Sequence, residues 1–453
     1  MSLNSISPID GRYEKSSAVL TSIFSERGLM RYRLVVEGEY LIALSQLGLK
    51  LRKFSDKEKT LIRSLYDLSL VDAQVISDIE LKGYKNIKAT DHDVKAVEYY
   101  IKDKLSNTTL RDVSEWIHFG LTSEDTNNLA YGLMLKDGTE VLLKKLAEVV
   151  GEINKLAKAH SKLPMLARTH GQSASPTTFG KEFKVFSFRA QRQIDNLKKQ
   201  KILGKLNGAT GNYNAHVVAY PKVDWLKFSK KFISSLGLEA NLVTTQIEPH
   251  DSYIEIFDNL KRINNILIDF NQDMWRYISD EWIIQKPVEG AVGSSTMPHK
   301  INPIKFENSE GNLGLANSMF EFFARKLPVS RLQRDLSDST VQRNFGTAFA
   351  HSLIAYEYLL KGLSRISVNT EHVQNVLKVH SEVVAEAIQT ILRREGVALP
   401  YEKLKAMTRG KTTTMQDFEV FIDSLEVSSK VKAELKQITP LSYTGIASKI
   451  AML

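Results

Sequence analysis

Thirty-seven consecutive residues, 250–286, contain neither Gly nor Pro. Within them Ile256, Leu260, Ile263, Leu267, Phe270, Met274 and Tyr277 recur at alternating spacings of four and three. That period gathers the side chains on one stripe, the seam of a helix packed lengthwise in a bundle. A single helix over the whole stretch would be about 55 Å long. One subunit could hardly cover its surface, so the stretch predicts a bundle shared between subunits. Further long helices are expected at 181–203 and 329–345. Eleven prolines among 453 residues, roughly half the usual share, leave room for them.

Around this stretch the chain divides into three helical regions, and the fold class expected is all-α. Residues 1–112 read as a smaller N-terminal domain with helices near 18–47 and 56–80. Residues 113–365 read as a central long-helix bundle, and 366–453 as a C-terminal helical domain. Two stretches carry helix-start signals. Thr90-Asp91-His92-Asp93 precedes a helix expected from about Val94, and Thr122-Ser123-Glu124-Asp125 precedes another. Hydroxyls and carboxylates there accept the first free amides, and the same amides can hold an anion.

Composition removes several classes. The absence of Cys excludes disulfides, thiolate metal sites and a thiol nucleophile together. The first residues lack a signal-peptide pattern, and no apolar run approaches the roughly 20 residues of a membrane span. A cytoplasmic protein without membrane contact is the expectation. The formal net charge is +9, yet Lys and Arg are mixed with Asp and Glu and form no basic arm. That favours a small anionic ligand over nucleic acid. Thr408-Arg409-Gly410-Lys411-Thr412-Thr413 resembles half a phosphate loop. Lys405 stands where its first glycine should be and no apolar strand precedes it, which argues against an NTPase.

Polar, glycine-containing connectors interrupt the helical pattern. Arg168-Thr169-His170-Gly171-Gln172-Ser173 is one, residues 204–214 another, and Thr245-Gln246-Ile247-Glu248-Pro249-His250 adjoins the long helix. His92, His170, His250 and His299 all lie beside such punctuation. Of these His170 is best placed for proton transfer, being flanked by donors and acceptors, and imidazole titrates near working pH. No His/carboxylate helix spacing supports a metal site.

The most distinctive connector is Gly293-Ser294-Ser295-Thr296-Met297-Pro298-His299-Lys300-Ile301-Asn302-Pro303, within a loop spanning 290–303. It resembles the signature loop of the fumarase/aspartase superfamily, whose members eliminate fumarate, or add to it, across a C–N or C–O bond. Other segments narrow the resemblance to the adenylosuccinate lyase family in its longer bacterial form. They are Ser7-Pro8-Ile9-Asp10-Gly11-Arg12-Tyr13, Asp91 to Tyr99, Thr122 to Asp125, Arg168 to Gln172, Thr245 to Asp251 and Lys326 to Arg331. The nearest alternatives are another fumarate-eliminating lyase and a helical protein that binds nucleotide or RNA without catalysis.

The resemblance implies a carbon–nitrogen lyase of purine biosynthesis with no metal or organic cofactor. It also implies a homotetramer whose active sites draw on three subunits. By the same resemblance the general acid falls on His170 and the base on Ser294. A serine base needs help, because a free hydroxyl holds its proton far above neutral pH. Loop amides and the Lys300 charge would lower that cost once water leaves. Lys300 and Asn302 would hold the succinyl end. The nucleotide and carboxylate groups would meet Arg12, Tyr13, Asp91, His92, Asp93, Thr122, Ser123, Gln246, Ser295, Asn308, Arg334, Ser339, Thr340, Val341, Gln342 and Arg343. Asp91 stands where the family commonly has Asn. Glu289 is the candidate to orient His170.

Overall fold

Local side-chain bonds decide where three of the first four helices begin. In the computed structural model, which describes residues 3–287, 296–410 and 412–453, α1 (Glu14–Phe24) and α2 (Glu26–Leu44) are separated by Ser25. Ser25 is extended, and its Oγ accepts from the Gly28 amide at 3.1 Å. Next come α3 (Asp56–Ser64), with a Ser55/Glu58 capping box, and α4 (Leu70–Leu81), capped by Ser69. The single helices expected at 18–47 and 56–80 are therefore two each. The apolar period runs on through each break, but a serine that bonds a nearby amide restarts the helix.

After α5 (Asp93–Leu105) and α6 (Ser123–Ala159) the chain forms an antiparallel hairpin of β1 (Pro164–Thr169) and β2 (Gln172–Thr178). The sequence reading placed no strand here. Then follow α7 (Phe179–Lys199), β3 (Leu203–Gly204), α8 (Asn214–Ala219), α9 (Trp225–Ser235), β4 (Glu239–Ala240) and α10 (Asp251–Ser279). The short strands β3 and β4 pair in parallel.

The long helix expected over 250–286 is α10, and it is shorter, at 29 residues or about 44 Å. It ends without Gly or Pro because Glu281 adopts a left-handed φ of 60°. The Trp282 amide then reaches back to the Tyr277 carbonyl at 2.9 Å, a C-terminal cap that normally uses glycine. The chain beyond enters β5 (Ile283–Gln285). The stripe itself is as expected, with Ile256, Leu260, Ile263, Leu267, Phe270 and Met274 all buried.

The remaining elements are α11 (Ile304–Lys326), α12 (Ser337–Gln342), α13 (Phe345–Leu363), β6 (Ile366–Val368), α14 (Thr370–Lys378), α15 (Ala385–Arg394), α16 (Pro400–Thr408), α17 (Met415–Asp423), α18 (Ser429–Lys436) and α19 (Ala447–Ile450). Strand β6 pairs antiparallel with β5. The long helix expected at 329–345 does not form. Asp335 accepts instead from the amides of Arg331 and Ser337, and Leu332 has a φ of 51°. These local bonds hold a turn where the apolar pattern alone suggested helix.

The chain makes two compact units, one of Met1–Lys145, Ile194–Asn264 and Asn312–Ala355, the other of Leu146–Gln193, Asn265–Gly311 and Tyr356–Leu453. Inside the first, Phe257 packs on Phe320 and Phe345 with ring centroids 5.6 and 5.0 Å apart. Inside the second, Tyr277 packs between Phe179 at 5.1 Å and Trp282 at 5.8 Å. Fully burying each such ring contributes up to about 3 kcal/mol. Among the described residues no helix is long and apolar enough to cross a membrane.

Candidate active site

Within the first unit, two helix N-termini meet. His92, the N-cap of α5, accepts from the Lys95 amide through Nδ1 at 3.2 Å. Its Nε2 lies 3.3 Å from the Ser123 hydroxyl at the start of α6. With Nδ1 accepting, Nε2 carries the proton and donates to Ser123. Asp91 has a φ of 47°, a left-handed conformation that Asn and Asp adopt more readily than other non-glycine residues. Asp in place of the family's Asn therefore keeps the backbone conformation. Thr122 precedes α6, and its amide donates to the Asp125 carboxylate at 2.9 Å.

Asp93, at the first turn of α5, sits between two guanidiniums. Arg33 Nη2 lies 2.6 Å and Arg343 Nη2 2.8 Å from the same carboxylate oxygen. Burial opposes ionisation of Asp93, but the two arginines outweigh it and hold its pKa at about 2. Arg343 also donates to Ser339 Oγ on α12 at 2.7 Å. Asp93 thus fixes Arg343 rather than standing free for a ligand. A cavity of about 310 Å³ runs between Arg343 and the Ser7–Asp10 turn, which leads to exposed Arg12 and half-buried Tyr13. Thr340 is exposed, whereas Val341 and Gln342 turn inward. The Gln342 amide nitrogen meets His250 Nε2 at 2.7 Å.

Gln246 is pinned at three points. Its carbonyl accepts from Lys205 Nζ at 2.7 Å, its amide nitrogen donates to the Ala209 carbonyl at 3.0 Å, and its amide oxygen accepts from Arg334 at 3.1 Å. Behind it lies a fully buried ion pair, Lys205 Nζ to Asp125 Oδ1 at 2.9 Å. Asp125 also accepts from the amides of Asn207 and Gly208 at 3.0 and 3.1 Å.

Within the second unit, His170 and Gly171 are the two central residues of the β1–β2 turn, with Thr169 paired to Gln172. Both have positive φ, 52° and 73°. That is the mirror-image turn whose twist matches the flanking strands, and it presents His170 exposed at the hairpin tip. Arg168 lies over the Trp282 ring, 5.8 Å from its centroid. On one side of β2, Ser173 Oγ is 3.2 Å from His380 Nδ1, and Ser175 bonds Glu386. Lys300 is exposed, and Asn302 and Asn308 are half-buried. The Ile301 carbonyl between the first two accepts from Gln285 at 2.8 Å. Ser294, Ser295 and Glu289 lie outside the described residues.

Arg33, Lys205, Asp125 and Glu124 support the predicted residues. From the sequence Glu124 and Asp125 are expected only to cap a helix, as Asp125 does, and Arg33 and Lys205 have no expected role. Glu124 and Asp125 belong to the capping segment 122–125 and Lys205 to the connector 204–214. Arg33 has no local cue, because its partner Asp93 is distant in sequence.

Comparison with known proteins gives the chain's relatives. Residues 11–316 match a family model described as lyase, and residues 330–444 one described as adenylosuccinate lyase C-terminal. The chain is 47% identical to the adenylosuccinate lyase of Haemophilus influenzae over 453 residues, covering 99% of this chain and 98% of that one. It is 48% identical to that of Escherichia coli K12 over 451 residues, covering 98% and 97%. Its fold is that of a fumarate lyase from Mesorhizobium sp. BNC1, with a TM-score of 0.73 at 16% identity over 96% of both chains. The 3-carboxy-cis,cis-muconate lactonizing enzyme of Pseudomonas putida gives a TM-score of 0.71, also at 16% identity, over 96% and 95%.

Proposed function

The chain belongs to the adenylosuccinate lyase family, and on that footing we propose that it eliminates fumarate from adenylosuccinate to leave AMP. The same chemistry serves the succinyl-carboxamide imidazole ribotide of purine biosynthesis, leaving AICAR. The observation that carries this reading is the match in extent, since relatives of this one activity align with the chain essentially from end to end.

The reaction moves one proton off carbon and one onto nitrogen. Ser294 takes the proton beside a succinyl carboxylate, and the electron pair collects as a carbanion stabilised through that carboxylate. It then forms the double bond of fumarate as the C–N bond breaks, and His170 protonates the departing nitrogen. Lys300 and Asn302 hold the succinyl end where negative charge peaks. Arg343, Ser339 and the N-termini of α5 and α6 supply a cation, a hydroxyl and the positive ends of two helix dipoles, which suit phosphate and carboxylate.

The purified protein is expected to release AMP and fumarate from adenylosuccinate and to leave argininosuccinate, aspartate and malate untouched, followed by ultraviolet absorbance and chromatography. Turnover of one of the other three instead would keep the superfamily and discard the nucleotide site. Silence on all four, from folded protein, would favour a binding protein without catalysis.

The working form is a homotetramer with shared active sites. Supporting this, α11 carries Gly311 and Gly314, where an added Cβ would meet nothing within 4 Å among the described residues. Each costs a helix interior about 1 kcal/mol relative to Ala, which a close approach by another helix would offset. Leu315 and Phe322 on the same helix are 53% and 48% exposed. Gly311→Leu is expected to shift the protein to smaller species by light scattering, with turnover lost in step. An unchanged tetramer would remove α11 from the interface.

A further inference from the structure

Two buried carboxyls in the first unit flank a single guanidinium. Glu124 is 1% and Asp338 5% exposed, on α6 and α12 respectively. Both face Arg334, which stands between Glu124 and Gln246. Arg334 Nη2 is 3.2 Å from Glu124 Oε2, and Nη1 donates to Gln246 Oε1 at 3.1 Å. Glu124 Oε1, both Asp338 carboxyl oxygens and Arg334 Nε are buried with no hydrogen-bond partner among the described residues. One guanidinium therefore faces two carboxyls in dry surroundings and can neutralise only one.

A second cation or a proton must balance the other. Glu124, Asp338 and His250 offer atoms within 4.8 Å of one another, a spacing that a metal ion could bridge. Both His250 nitrogens are already engaged, Nδ1 with the Leu327 carbonyl at 3.3 Å and Nε2 with Gln342. Burial lowers the His250 pKa to about 4, so the ring is neutral and donates through Nδ1. Arg334 already occupies the cationic position beside Glu124. A proton held between the two carboxyls is the simpler balance.

We propose that Glu124 is a positioning residue for Arg334, and that a proton shared with Asp338 sets how much of the Arg334 charge remains for a substrate anion. This rests on the reading of Arg334 as a substrate contact. The charged groups facing Glu124 are Arg334 and Lys205, which favour its ionised form, and Asp338 and Asp125, which oppose it. Burial is the largest influence and pushes the Glu124 carboxyl up to about 7. Asp338 is raised too, again by burial, with Asp335 adding to the rise and Arg334 and the nearby amides of Ser339 and Asp338 opposing it. As pH rises through 7 the pair loses its shared proton, Arg334 faces two negative charges, and an anion binds less well.

The test measures KM and kcat with adenylosuccinate from about pH 6.5 to 8.5. The wild-type KM is expected to rise about threefold to tenfold across this window. E124Q keeps an acceptor for Arg334 but removes one acid, and D338N removes the other. Each should flatten the KM profile to within about twofold, since each leaves one carboxylate for one guanidinium. E124A should raise KM about tenfold with kcat much less affected, and E124Q should restore most of that loss. Changes in substrate charge are common to all variants and cancel in the comparison. If R334Q raises KM while E124Q and D338N keep the wild-type profile, the shared proton is refuted and Arg334 stands. If R334Q leaves KM unchanged, the reading of Arg334 itself fails. Should E124A not fold, the two isosteric variants still decide the matter.

Discussion

Asp125→Ala is expected to lower folding stability by about 3–5 kcal/mol. The carboxylate is fully buried and satisfies Lys205 Nζ at 2.9 Å together with the amides of Thr122, Asn207 and Gly208. Lys205 is also fully buried, and its other bonds go to the carbonyls of Gly208 and Gln246. Removing Asp125 leaves an ammonium in the dry interior without the carboxylate it is paired to. Three amides also lose their acceptor. Whole-domain stabilities are only about 5–15 kcal/mol, so the variant should be mostly unfolded at temperatures the parent tolerates. The urea midpoint should fall at unchanged slope. A loss below about 1 kcal/mol would mean that water or another acceptor reaches Lys205. Asp125→Asn, which keeps the shape without the charge, should fall between the two.

His170→Asn is expected to lower kcat by about a hundredfold to ten-thousandfold, the usual contribution of a positioned general acid, while the protein folds as before. Asn is the informative choice because residue 170 has a φ of 52°. Asn accepts that conformation readily, whereas Ala adopts it less readily than either Asn or His. His170→Ala should therefore lose the same turnover and some stability besides. Circular dichroism and steady-state kinetics on the pair separate the two effects. If His170→Asn retained more than a tenth of wild-type kcat, the acid would have to be another group.

The stripe on α10 was readable because its period reflects which face is buried, and that is a local property of sequence. The end of α10 was not, because Glu281 takes the left-handed conformation without a glycine to announce it. The hairpin at 164–178 escaped for a different reason. Its Pro, Ser and Thr residues resemble a connector, and pairing across the two strands leaves no helical period to contradict. Among site residues, the predicted His92, Ser123, Asp93, Ser339 and Arg343 do come together. Their supports were harder to see. Arg33 meets Asp93 across 60 residues, and Arg334 meets Gln246 across 88. Such partners are set by packing, and nothing in the neighbouring sequence marks them.

The turn at His170 and Gly171 has a consequence for how this part of the chain can vary in length. Side chains alternate sides along a strand, so a one-residue slip in the pairing would exchange the two faces of β2. Ser173 and Ser175 share a face, and both are bonded to the C-terminal segment through His380 and Glu386. An insertion in the turn that shifted the pairing by one residue would therefore displace the imidazole and detach both serines in one step. Loops elsewhere can drift in length by single residues, but here the imidazole and its anchorage to a segment 200 residues away are inherited together.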